Sequence, residues 1–116
     1  MRVIARSTLS KFVGTLTGRD KAAVKRALDA WFSEMEHATW RSSQDLKAAY
    51  AIASIVDAGR VVFNIKGNSY RLVAAIDYQR QTLFIKWLGS HKEYDEIDVR
   101  TVRYGDQAYQ KRFGSR

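Results

Sequence analysis

Lys66, Arg71, His91 and Tyr94 are the residues whose types suit the handling of a phosphodiester and its protons. A guanidinium presents a planar fork of donors to phosphate oxygens. An imidazole carries a proton near neutral pH, and an ammonium or a phenol adds charge or a second proton. These residues are scattered along the chain, so their use depends on elements that gather them.

The gathering element is a hairpin. Gly67-Asn68 reads as a two-residue turn between strands at 60–66 and 69–78. Lys66 then lies opposite Ser69, Asn64 opposite Arg71, and Val62 opposite Val73. A four-residue turn at 79–82 brings back a strand at 83–88, with Tyr78 facing Leu83, Ile76 facing Ile85 and Ala74 facing Trp87. Because side chains alternate, one face shows Phe63, Ile65, Tyr70, Leu72, Ile76, Leu83, Ile85 and Trp87, which makes a core face. The other shows Asn64, Lys66, Arg71, Val73 and Lys86.

In this register Arg71 also faces Ser90, so His91 leaves the sheet at the end where Lys66 and Arg71 already stand. No acid on these strands is near, and Asp77 falls at the opposite end. Crowded like charges are costly unless an anion neutralises them, which predicts a phosphate-binding cleft. A solvated antiparallel face with ordinary surface Lys and Arg gives the same pattern. Ser90 and Glu93 have capping-box spacing, so a short helix is expected from about His91. Free N–H groups at a helix start attract anions. Tyr94 shares a helix face with His91, and it is equally placed to pack as a core ring with Ile97. The acids Glu93, Asp95, Glu96 and Asp98 suit a helix start and oppose tight phosphate binding there.

The first half supplies the packing. Residues 2–5 suggest an edge strand, and Ser7 is the expected N-cap of a helix with Leu9, Phe12, Val13 and Leu16 on one side. Thr17-Gly18 breaks it. Asp20 opens a longer helix striped with Val24, Ala27, Leu28, Trp31, Met35 and Ala38. Ser42 to Asp45 resembles a capping box before a short turn of helix with Leu46, Ala49 and Tyr50. A strand is expected at 52–56, followed by a turn at Asp57-Ala58-Gly59.

The 116 residues suit one domain. Twenty Lys and Arg against twelve Asp and Glu give a net charge of +8, which favours a polyanionic partner. Half of that excess, +4, falls from Arg100 onward, as in an electrostatic arm. Cys is absent, and His37 and His91 are the only histidines, so disulfides, thiol chemistry, Cys-ligated zinc and His-rich metal sites are excluded. No secretory signal or membrane-length apolar run is visible, and the expected location is the cytoplasm.

The run Arg60-Val61-Val62-Phe63-Asn64-Ile65-Lys66-Gly67-Asn68-Ser69-Tyr70-Arg71-Leu72-Val73-Ala74 resembles the central hairpin of HigB-type toxins of bacterial type II toxin–antitoxin systems, within the RelE/ParE-like superfamily. Gly89-Ser90-His91-Lys92-Glu93-Tyr94-Asp95 resembles that family's closing motif, Gly-Thr-His-x-Glu-Tyr-Asp, with Ser90 keeping the hydroxyl of Thr. Trp31, Trp40 and Asp45-Leu46-Lys47 also match. The resemblance covers nearly all of 1–98.

The resemblance implies an α+β, RelE-like domain over 1–99, with N-terminal helices on one face of a mainly antiparallel sheet, a cleft on the other and a short helix after the last strand. The basic tail, 100–116, lies outside the shared pattern. It further implies an mRNA endoribonuclease acting on the translating ribosome without metal or other cofactor, and a HigA-type helix-turn-helix antitoxin as partner. In such cleavage the RNA 2′-OH attacks the adjacent phosphate, leaving a 2′,3′-cyclic phosphate and a 5′-OH. By position Lys66 or His91 is the base, Arg71 holds the phosphate, and His91 or Tyr94 is the acid or orients the base. Asn64, Lys86, Lys92 and Arg60 are the expected RNA contacts. Two rival readings are a non-enzymatic binder of RNA or the ribosome, and a gyrase-poisoning toxin of the same fold. The set Lys66, Arg71 and His91 speaks against the latter.

Overall fold

The computed structural model describes residues 1–56 and 59–103. Strand β1 (Arg2–Ile4) runs into helices α1 (Arg6–Gly14), α2 (Asp20–His37) and α3 (Ser43–Ala49). Strands β2 (Ser54–Val56), β3 (Arg60–Ile65), β4 (Tyr70–Asp77) and β5 (Thr82–Ser90) follow, and α4 (His91–Tyr94) continues directly from β5. The sheet order is β1-β5-β4-β3-β2. β1 is parallel to β5, and the other pairs are antiparallel. The architecture is α+β and consistent with a RelE-like fold.

Local signals explain the starts of α3 and α4. Ser42 Oγ accepts from the Asp45 N–H at 3.2 Å and starts α3, as its spacing predicts. Ser7 does not cap α1. Pairing of β1 through Ile4 leaves only Ala5 as the junction, so Ala5 takes the N-cap position without a side-chain bond. Val24, Leu28, Trp31 and Met35 are the buried stripe of α2. They pack on the face of the sheet carrying Phe63, Ile65, Leu72, Ile85 and Leu88. Trp31 meets Phe63 edge-on at 5.5 Å between centroids.

β3 and β4 pair in the expected register, Val62 with Val73 and Asn64 with Arg71. β4 and β5 do not. Val73 pairs with Trp87 and Ala74 with Ile85, so Lys86 is an extra residue at a bulge. Beyond it Arg71 faces Gly89, not Ser90, and Tyr70 faces Ser90. The bulge also moves Trp87 off the helix-covered face, where simple alternation had placed it.

Trp87 instead joins Val62, Val73 and Val102 in a second, smaller core on the opposite face, with Tyr94, Ile97 and Val99 packed against it. That face is therefore not an open sheet surface. The chain after α4 crosses it, and the Arg60 guanidinium donates to the carbonyls of Val99 at 3.0 Å and Val102 at 2.7 Å. Packing continues past the expected boundary at residue 99, since Val102 is only 2% exposed. Residues 57 and 58 of the expected turn, and the basic tail from residue 104, lie outside the described residues. Among the described residues no helix is long and apolar enough to cross a membrane.

Candidate active site

The site begins at the hairpin turn. Ile65 and Tyr70 form the last rung, and the turn spans 66–69 with Gly67-Asn68 at its centre, as the spacing predicts. The Ser69 N–H closes it by donating to the Lys66 carbonyl at 3.2 Å. Gly67 (φ 63°) adopts a left-handed conformation freely, and Lys66 (φ 53°) adopts it as a non-glycine. That conformation takes Lys66 out of the strand. Its ammonium meets Asp20 Oδ1 at 3.4 Å, at the start of α2.

Arg71 is the hub. It stands on β4 between Asn64 on β3 and Gly89 on β5. Its Nη2 donates to Asn68 Oδ1 at 3.0 Å and contacts His91 Nδ1 at 3.3 Å. Arginine has donors only. The second contact is therefore a hydrogen bond when Nδ1 keeps its lone pair and the ring hydrogen is on Nε2. The guanidinium carbon lies 5.0 Å from the Tyr94 ring centroid, a cation–π contact. Arg71 Nε is buried without a hydrogen-bond partner. Among the described residues no carboxylate pairs with this guanidinium. A buried donor left unmade is costly, and an anion would satisfy it.

α4 fixes His91 and Tyr94. Glu93 N–H donates to Ser90 Oγ at 3.1 Å, and the Ser90 N–H donates to Glu93 Oε1 at 2.9 Å, the full capping box. The His91 N–H donates to the Ser69 carbonyl at 3.0 Å, which ties α4 to the hairpin turn. Beneath, the Trp87 ring lies 6.2 Å from that of Tyr94. Gly89 makes room for this indole, because a Cβ there would stand 2.4 Å from Trp87 Cη2.

The structure thus brings Arg71, His91 and Tyr94 together, with Asn64 on the same rung. Lys66 shares that end of the sheet, but its ammonium turns toward α2. Lys92 is exposed on α4 and has no partner among the described residues. Lys86 sits at the bulge with its ammonium 5.6 Å from the Phe84 ring centroid, toward the β1 edge. Arg60 is at the far end of β3, holding the segment after α4. Asn68 and Trp87 are parts of the site that sequence reasoning missed. Asn68 registered only as a turn residue, and Trp87 was assigned to the wrong face. Among the described residues no group of three or more His, Cys, Asp or Glu could hold a metal ion.

An open, mostly antiparallel sheet with helices packed on it and a short helix after the last strand is consistent with a RelE-like fold. The family model described as HigB_toxin, the RelE-like toxic component of a toxin–antitoxin system, matches residues 24–97, and the chain belongs to that family. The match includes the hairpin, β5 and α4. It makes the protein a toxin component with an antitoxin partner, in a family generally of ribonuclease type. No curated protein matches the chain.

Proposed function

We propose that this toxin is an endoribonuclease that cleaves mRNA on the translating ribosome, using the RNA's own 2′-OH and no metal ion. The observation carrying this reading is the Arg71 guanidinium. It is held by Asn68 and Tyr94, keeps a buried unpartnered Nε, and contacts His91 Nδ1. A phosphate fits those donors, and preorganised donors of this kind stabilise charge that builds in a transition state.

In the proposed reaction Arg71 exchanges His91 for the phosphate. That frees His91 Nδ1 to take the proton of the 2′-OH. The 2′-oxygen bonds to phosphorus as the bond to the 5′-oxygen breaks. The Tyr94 phenol gives its proton to the 5′-oxygen and regains one from His91 through solvent. Lys92, and Lys66 with its charge shared by Asp20, add attraction for the RNA backbone. A HigA-type helix-turn-helix antitoxin is the proposed partner, and the cytoplasm the proposed location.

Incubation with translating ribosomes followed by mapping of 5′ ends tests the reading. New ends within codons are expected. A stalled but intact message would make the protein a binder, and DNA breaks would make it a gyrase poison.

A further inference from the structure

β2 stops short of the site. Its last rung pairs Ser54 with Val62, so β3 continues from Phe63 to Ile65 without a strand partner on that side. A cleft of about 360 Å³ lies along this unpaired stretch. Its outer wall is Tyr50 to Ala53, and its inner wall is Phe63, Asn64 and Gly67.

Two features give the cleft chemistry. The Asn64 amide is half-buried and has no hydrogen-bond partner among the described residues. Tyr50 is locked in place. Its phenol donates to Glu34, and its ring packs edge-on against Trp40 at 5.9 Å and Phe63 at 5.6 Å. Burial, and then the bond to Glu34, pushes that phenol's pKa up, so it stays protonated. The cleft therefore offers a mostly apolar wall that includes Tyr50, and one amide with a free donor and a free acceptor. A splayed-out nucleobase needs those two things.

Position supplies the occupant. Asn64 is the direct cross-strand partner of Arg71, and such side chains share a face with Cβ atoms about 4.5–5.5 Å apart. A nucleotide whose phosphate is held by Arg71 has its neighbouring base within reach of Asn64. We infer that the cleft between residues 50–53 and the free edge of β3 receives a nucleobase flanking the scissile phosphate, with Asn64 reading its edge. The inference rests on the nuclease reading above and assigns that site its base selectivity.

The test compares cleavage maps of the full-length wild type, Asn64→Ala and Ala51→Trp on a mixed pool of translated messages. Ala51 is exposed, so the indole can fill the cleft without entering the core. Circular dichroism confirms folding. The wild type should cut with a base preference at one nucleotide beside the scissile bond. Ala51→Trp should still cut while that preference falls about tenfold, the scale of one amide-to-base pair, and Asn64→Ala should lose the same preference together with part of its cutting rate. Identical base preferences in all three proteins would overturn the inference and leave the nuclease reading intact. Complete loss of cutting by both folded variants would also overturn it, because the cleft would then serve cleavage itself and not base selection. If the wild type cuts nothing, the nuclease reading fails and this inference fails with it.

Discussion

Replacing Gly89 with alanine puts a methyl carbon 2.4 Å from Trp87 Cη2 and 2.6 Å from Cζ2. Carbon atoms in contact sit about 3.5–4.0 Å apart, so the indole edge must retreat by about 1 Å. It has little room, since Trp87 is 1% exposed and Val62, Val73 and Val102 enclose it. Overfilling a packed core in this way costs about 1–3 kcal/mol. With a urea slope of about 2 kcal/mol per M, a loss of about 2 kcal/mol lowers the unfolding midpoint by about 1 M. Because Trp87 supports Tyr94, and Tyr94 underlies Arg71, cleavage should fall in the fraction that remains folded. Trp87→Phe removes the two clashing carbons. In that background only the 3.0 Å approach to Glu93 Oε1 remains, so Gly89→Ala should cost much less, giving a coupling of about 1–3 kcal/mol in the double-mutant cycle. An equal midpoint drop in both backgrounds, or none in either, would refute the reasoning.

Arg60→Met should lose the two bonds to the Val99 and Val102 carbonyls. Bonds to charged groups contribute about 1.5–3 kcal/mol each, so urea unfolding should show that loss together with faster amide exchange at Val102. Ser90→Ala removes half of the capping box on α4 and should cost about 1 kcal/mol by the same assay. Lys66→Met breaks a partly exposed ion pair with Asp20. Stability should change by less than about 1 kcal/mol, while RNA cleavage drops and its salt dependence becomes shallower.

The hairpin and both serine caps were legible because their signals are local. Gly67-Asn68 centres the β3–β4 register, and Ser42 and Ser90 act on N–H groups three residues away. The meeting of Arg71 with His91 followed from that register, even though the rung was off by one residue. The bulge at Lys86 was not legible. Alternation through Ile85, Lys86 and Trp87 is what an unbroken strand would show, and only packing reveals that Trp87 faces the other way. The covering of the second face by Ile97, Val99 and Val102 was hidden too, because these residues have no period and adjoin a basic run. Lys66 pairing with Asp20 joins residues far apart in the chain, and strand alternation says nothing about which helix end stands beside a turn.

The central claim is that Arg71 and His91 carry out cleavage. Arg71→Ala and His91→Gln should each abolish new 5′ ends in translated message and relieve growth inhibition. Both should unfold cooperatively and still bind the antitoxin. Cleavage at the wild-type rate by both folded variants would contradict the account.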